Sequence, residues 1–195
     1  MSRTPPGFDF SAAMRAACVD AVARLDEFAQ VDMDRIAVGV CQARNRSHYG
    51  VYASLTPLRF SGGAATRVIR GRPMRIQRLV DATASHEFLY LLNFYLPRFQ
   101  NLPLDEKLTT IVHELWHVSP QFNGDVRRHA GRCYAHGRSK RQYDDEMAAL
   151  ARRWLLPEQV AQRFPFLAKS FAELESEYGG VCGQRWNVPK LAPAP

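Results

Sequence analysis

The sequence predicts an α+β fold in which a small mixed or antiparallel sheet packs against several helices. Short apolar segments of strand length are interspersed with longer segments whose apolar residues recur at helical spacing. The chain has 195 residues, of which 46% are hydrophobic and 23% charged, values typical of a folded domain with a substantial core. We therefore predict one domain over residues 1–195, with flexible tails at about 1–8 and 188–195.

The first half of the chain begins with a predicted amphipathic helix over residues 10–30, whose start Asp9 or Ser11 can cap. Strand-like segments follow at 36–41, 49–60, 66–70 and 74–80. Pro57 either bends the second of these or marks it as an edge strand, because proline cannot donate a hydrogen bond to a neighbouring strand.

Residues 87–96 form the most apolar of these segments and should occupy the centre of the sheet, since only Asn93 interrupts its two apolar faces. A helix follows, with Pro103 and Asp105 suited to its start and Ser119-Pro120 to its end. Further helices are predicted over 144–156 and 164–178.

The helix after the central strand contains His113-Glu114-Leu115-Trp116-His117. Residues four apart lie on one face of a helix, so His113 and His117 can direct two imidazoles at one metal ion. Glu114 can then reach a water molecule on that ion as a general base. This His-Glu-x-x-His pattern is typical of zinc peptidases, which need a third protein ligand as well.

The third ligand has three candidates downstream of the motif. Glu146 on the next predicted helix would complete a two-His, one-Glu site, with Asp144 and Asp145 able to orient a ligating imidazole. His129 lies among arginines, which favours a surface role, and His136 precedes a glycine. A His-x-x-Gly-x-x-His continuation is excluded, because Pro120 and Asn123 occupy the positions of its glycine and histidine.

The motif and its surroundings resemble the SprT-like metalloproteases, in which the motif helix is followed by a His-Gly dipeptide, an aromatic residue and a Met. Here these are His136-Gly137, Tyr143 and Met147. The stretch that includes Phe122-Asn123-Gly124-Asp125 is more similar to a bacterial and phage group known only as predicted metallopeptidases. The similarity covers about 89–155, and the C-terminal four-cysteine zinc ribbon of many SprT-like proteins is absent.

The resemblance implies a zincin-like fold and a Zn²⁺ ion held by His113, His117 and His136. It also implies hydrolysis of a protein or peptide substrate with Glu114 as the general base. Within that mechanism, either Tyr134 or Tyr143 could help to stabilise the oxyanion. Two other functions stay open. One is a nucleic-acid-binding or phage structural protein with a non-catalytic zinc, and the other is a metal hydrolase that acts on something other than a peptide.

The net charge of +7 is concentrated in one block, because no Asp or Glu occurs from Arg35 to Val80. Such a block can attract nucleic acid, and Tyr49, Tyr52 and Phe60 could stack on bases. Its nine arginines are Arg35, Arg44, Arg46, Arg59, Arg67, Arg70, Arg72, Arg75 and Arg78.

The four cysteines, Cys18, Cys41, Cys133 and Cys182, lack the spacing of a zinc knuckle and are predicted to be free thiols, with Cys133 near the candidate ligands. The sequence contains no apolar run of membrane-spanning length and no signal-peptide pattern at its start. We therefore expect a cytoplasmic protein without a membrane partner.

Overall fold

The computed structural model describes residues 7–43, 50–81, 86–128 and 140–194, which form an α+β structure. The helices of this described part are α1 (Phe10–Arg24), α2 (Leu104–Trp116), α3 (Lys140–Trp154), α4 (Pro157–Arg163) and α5 (Phe171–Tyr178). Its strands are β1 (Phe8–Asp9), β2 (Ile36–Gln42), β3 (Ala53–Pro57), β4 (Thr66–Ile69), β5 (Arg72–Ile76), β6 (Tyr90–Leu96), β7 (Val181–Cys182) and β8 (Leu191–Pro193). None of the described helices is long and apolar enough to span a bilayer.

A mixed three-stranded sheet in the order β2-β6-β3 forms the centre of the structure. Strand β6 runs parallel to β2 and antiparallel to β3, and six of its seven residues are buried. The predicted central position of the 87–96 segment is thus confirmed. Strand β3 ends at Pro57 and lies at the edge of the sheet, as the proline indicates.

Two smaller sheets lie outside this centre. One has the order β4-β5-β8, with both pairs antiparallel, and the other joins β1 to β7. Part of each tail expected at 1–8 and 188–195 lies in a sheet, because Phe8 pairs with Val181 and Leu191–Pro193 adds a strand to β5. Composition alone could not reveal this pairing. A Pro-rich segment can be either an extended tail or a short edge strand, because proline is tolerated at the edge of a sheet.

Two predicted helices are shorter than expected. Asp9 caps α1 through its side chain, and the helix ends at Arg24, before a 3-10 turn at Asp26–Phe28. The 164–178 segment divides into a 3-10 turn at Pro165–Ala168 and helix α5, which begins at the capping box of Ser170 and Glu173. The capping box explains the division, because it favours a new helix start at Ser170.

The two faces of the central sheet are covered differently. The larger core fills one face, where Phe10 of α1 makes edge-to-face contacts with Phe94 and Phe99 and where the apolar side of α2 is buried. A smaller cluster on the opposite face contains Leu58, Phe88 and Leu91 with Ile76, Leu79 and Trp186 packed against it. This second cluster anchors the β4-β5-β8 sheet to the centre of the structure.

Helix α2 contains a buried lysine, Lys107, that joins the helix to the chain at residues 167–169. The Nζ of Lys107, which is 2% exposed, donates hydrogen bonds to the carbonyls of Leu167 and Lys169 at 2.9 and 2.7 Å. The Gln100 amide donates to Phe166 and Lys169 from the β6 side. Burial lowers the pKa of Lys107 to about 8, against the opposing influence of the Glu173 carboxylate.

This lysine should make stability rise with pH. Between the lowered pKa of about 8 and the ordinary value of 10.5, the unfolded chain binds more protons than the folded one. The free energy of unfolding should therefore increase by about 1–2 kcal/mol from pH 8 to pH 10, relative to the Lys107→Met variant. Denaturant titrations of both proteins at the two pH values measure this difference. Parallel pH profiles would contradict the assignment.

Candidate functional site

Helix α2 carries the His-Glu-x-x-His motif. The apolar side of the helix packs inward, and this orientation determines where the motif side chains lie. Leu108, Ile111, Val112 and Leu115 are buried against the sheet and α3. Asp105 and Glu106 lie in the first turn, where carboxylates interact favourably with the helix dipole. The helix ends at Trp116 with His117 as its C-cap, so the motif occupies the last turn.

The two motif histidines converge. Their Nε2 atoms are 3.0 Å apart, and the ring centroids are 4.6 Å apart in an edge-to-face arrangement. Two imidazoles that bind one tetrahedral zinc at 2.0–2.1 Å would have these nitrogens about 3.3 Å apart. The observed 3.0 Å separation also suits a hydrogen bond between two neutral imidazole rings. The histidine pair is therefore compatible with a bound metal ion but stable without it. The donor set is chemically suited to Zn²⁺, for which imidazole is a common ligand.

Tyr143 of α3 holds the first of these rings from the side. Its ring contacts that of His113 edge-to-face, with centroids 5.3 Å apart, and its side chain is buried. Burial raises the pKa of Tyr143, and the nearby Glu114 carboxylate adds to the increase. The sequence-predicted Tyr143 is therefore neutral and adjacent to the histidine pair.

The candidate carboxylates of α3 are not gathered around this pair. Glu146 is exposed, and its carboxylate accepts a hydrogen bond from Gln142 at 3.3 Å; Asp144 and Asp145 are exposed too. Among residues 7–43, 50–81, 86–128 and 140–194, no set of three or more His, Cys, Asp or Glu side chains is placed to hold a metal. His129, Cys133, Tyr134 and His136 lie outside the described residues.

Glu114 is directed inward, toward the edge of the central sheet. Its side chain is 8% exposed, and a backbone hydrogen bond from Leu55 of β3 reaches its carboxylate. Burial raises the pKa of Glu114 to about 7, while the Leu55 hydrogen bond opposes that increase. The motif carboxylate is thus fixed against an edge strand and holds its proton far more readily than an exposed glutamate.

The Leu55 hydrogen bond identifies the outer side of β3. Tyr52 and Leu58 bond inward to β6, through Tyr95 N–H to Tyr52 C=O at 2.9 Å and Leu58 N–H to Leu89 C=O at 3.0 Å. Backbone groups alternate in direction along an antiparallel strand, so those of Ala53 and Leu55 face away from β6. The backbone polar groups of this edge therefore lie beside the motif helix. Nothing in the sequence indicated this role of Leu55, because it belongs to the backbone.

Arg127 holds the turn that contains His117. Its backbone N–H donates to the His117 carbonyl at 2.8 Å, and its Nε donates to the Trp116 carbonyl at 2.8 Å. The guanidinium lies over the Trp116 ring, 4.1 Å from the centroid. A cation at a helix C-terminus also stabilises the free carbonyls there. The sequence gives no sign of this role, because Arg127 lies in an arginine pair that suggests a basic surface.

Asp125 joins the loop after the motif helix to the segment that follows β3. This buried carboxylate accepts hydrogen bonds from the backbone N–H of Gly62 at 2.8 Å and of Val126 at 2.8 Å, and it pairs with Arg128. The Tyr90 hydroxyl donates to the Asp125 carbonyl and accepts from the Gly124 N–H. The loop is therefore tied both to the central strand and to the chain that leads into β4.

Seven arginines of the predicted block of nine are described, and they do not all belong to one basic surface. Glu87 forms salt bridges with Arg59 at 2.9 Å and Arg78 at 3.0 Å, and its carbonyl accepts a hydrogen bond from Arg35. These three arginines are thus structural. Arg44, Arg46 and Tyr49 lie outside the described residues, and Tyr52 and Phe60 are half-buried. The remaining four, Arg67, Arg70, Arg72 and Arg75, lie on the β4–β5 hairpin.

Comparison with known proteins identifies no relative. No protein-family model matches the chain, and neither the curated proteins nor the solved structures contain a significant match. The resemblance to SprT-like metalloproteases therefore rests on the motif residues.

Proposed function

We propose that the protein is a zinc-dependent peptidase whose active site lies between the last turn of α2 and the edge of β3. The observation that carries this proposal is the joint placement of the converging His113 and His117 imidazoles with the buried Glu114 carboxylate. A mixed sheet whose antiparallel edge strand borders the motif helix supports a zincin-like fold.

In this proposal His113, His117 and His136 would hold the ion. The described chain on either side of 129–139 approaches the pair, since Arg127 bonds to the His117 carbonyl and Tyr143 contacts His113. His136 is seven residues from Tyr143, so a span of up to about 24 Å is available to bring it to the site. When bound, the zinc would supply Lewis acidity toward the scissile carbonyl and a water molecule.

Glu114 is the residue that moves protons. Its carboxylate would accept a proton from the attacking water and later donate it to the leaving amine. The Leu55 N–H faces the carboxylate and favours its ionised form. The Tyr143 ring supports His113 from the side. The chain thus supplies a fixed proton carrier beside a pair of supported imidazoles.

The outer edge of β3, where the described residues place no further strand, supports an extended peptide as the substrate. The outward-facing backbone groups of Ala53 and the Leu55 carbonyl could pair with an added strand, as in other cases of strand addition, while the Leu55 N–H faces Glu114. Such a strand would pass beside Glu114, because Leu55 bonds to that carboxylate. Recognition through backbone groups would favour unfolded or extended protein segments over folded surfaces.

Glu114→Gln tests the catalytic role directly. The amide keeps the size of the side chain but cannot accept the water proton, so kcat for peptide cleavage should fall by about 10²-fold or more. Zinc content, measured by atomic absorption, should equal that of the wild type. The assay would use a quenched fluorescent peptide library with the zinc-loaded protein.

The outcomes separate the alternatives. Wild-type cleavage by Glu114→Gln would show that this carboxylate is not the base. A zinc-loaded wild type that cleaves neither peptides nor other substrates would favour the non-catalytic zinc protein. Turnover of esters or phosphodiesters without peptide cleavage would indicate a different metal hydrolase. Exposed Glu146→Gln serves as the matched control and should retain full activity.

Ala53→Pro tests the mode of substrate binding. The proline removes an N–H that faces the free edge, so the pairing of β3 with β6 should survive. We expect unchanged zinc content and at least a 10-fold lower kcat/KM for peptides long enough to span β3.

Ser54→Pro provides the contrast, because the backbone of Ser54 faces β6. This change should destabilise the protein by about 3 kcal/mol or more, seen as a lower melting temperature. A folded Ala53→Pro variant with wild-type kcat/KM on long peptides would exclude substrate binding at this edge.

A further inference from the structure

The β4–β5 hairpin combines high positive charge with high exposure. Arg67, Arg70, Arg72 and Arg75 are all exposed, and within the part of the chain that the structure describes none of them pairs with a carboxylate. The neighbouring chain does not neutralise them, because residues 59–80 and 183–195 contain no Asp or Glu. The exposed Lys190, which precedes β8, adds a further positive charge.

The strand register places these charges around the hairpin. Arg67 faces Met74 and Arg72 faces Ile69 across the pair, so Arg67 and Arg72 lie on the same face as diagonal neighbours. Arg75 pairs with Thr66 and lies on the opposite face. Arg70 occupies the turn at the tip. Positive charge therefore surrounds the hairpin on two faces and at its end.

The turn itself contains an unfavourable residue. Arg70 and Gly71 connect Ile69 to Arg72 with φ values of 51° and 75°, which is the pattern of a type I′ turn. Asn commonly fills the first of these positions, whereas a left-handed conformation of a long side chain costs about 1 kcal/mol or more. Local stability therefore does not explain why an arginine occupies position 70. A function for its positive charge at the tip of the hairpin would explain it.

We propose that the β4–β5 hairpin is a nucleic-acid-binding element that contacts duplex phosphates through Arg67, Arg70, Arg72 and Arg75. A duplex groove presents phosphates on both walls, which matches arginines on two faces and at the tip of the β4–β5 hairpin. An anionic membrane is flat and would engage one face only. Arginine also suits phosphate, because its guanidinium can donate two parallel hydrogen bonds to one phosphate group.

The number of arginines sets the expected salt dependence. Four phosphate contacts should give a slope of about −3.6 in a plot of log affinity against log salt, or about a 10²-fold loss of affinity between 50 and 200 mM salt. Contacts to phosphates carry little sequence information, so unrelated duplexes should bind with similar affinity. This binding is independent of zinc and of peptide cleavage.

The test compares the whole wild-type chain with the variant Arg67→Ser, Arg70→Ser, Arg72→Ser and Arg75→Ser. Fluorescence anisotropy with a labelled 20-base-pair DNA would measure affinity at several salt concentrations. We expect the variant to bind at least 10-fold more weakly at 50 mM salt and to lose most of the slope. The control variant replaces four exposed helical arginines with Ser and so removes the same charge: Arg24, Arg141, Arg152 and Arg153.

The control variant should keep the wild-type slope. An equal loss of affinity in both variants would show a general charge effect and contradict a site on the hairpin. Absence of duplex binding at 50 mM salt, with or without binding to vesicles that contain phosphatidylserine, would overturn the proposal. Circular dichroism and zinc content distinguish these results from unfolding. Arg70→Asn, which suits the turn, should weaken binding while raising the melting temperature.

Discussion

The Leu55 backbone N–H meets the Glu114 carboxylate where the two elements that define the candidate site come together. This contact joins the last turn of α2 to the edge of the central sheet. A buried carboxylate with this partner is costly, since burial raises its pKa to about 7. An apolar residue would serve the core better at this position. A catalytic role for Glu114 would account for this loss of stability. Polar residues that conflict with core packing are often found at functional sites.

The surroundings of the motif helix restrict its last turn from several sides. Tyr143 contacts His113, while Arg127 binds the carbonyls of Trp116 and His117. Asp125 then ties the following loop to Gly62. The β4 strand begins four residues after Gly62, so the base of the β4–β5 hairpin lies within about 14 Å of Gly62. The two proposed binding surfaces are therefore connected through one short hydrogen-bonded segment.

The sequence predicted the elements whose pattern is local. The apolar run of β6, the amphipathic helix α2 and the spacing of His113 and His117 needed no tertiary information, and the structure has all three. Contacts between segments that lie far apart in the chain could not be predicted from the sequence. The bond from Leu55 to Glu114 involves a backbone group, and the pairing of β8 with β5 joins segments more than 100 residues apart. The sequence also did not reveal that the arginines of the block have different roles. Arg59 and Arg78 form salt bridges with Glu87, whereas the arginines of the β4–β5 hairpin are exposed.

The central claim is a zinc ion bound by His113, His117 and His136, and X-ray absorption at the zinc edge tests it most directly. The account predicts one zinc per chain in a shell of nitrogen and oxygen ligands at about 2.0–2.1 Å. His136→Ala should lose most of that zinc, whereas His129→Ala should keep it. A sulfur ligand at about 2.3 Å would implicate Cys133 instead. Full zinc retention in His136→Ala, with loss in Glu146→Ala, would contradict the assignment of the third ligand.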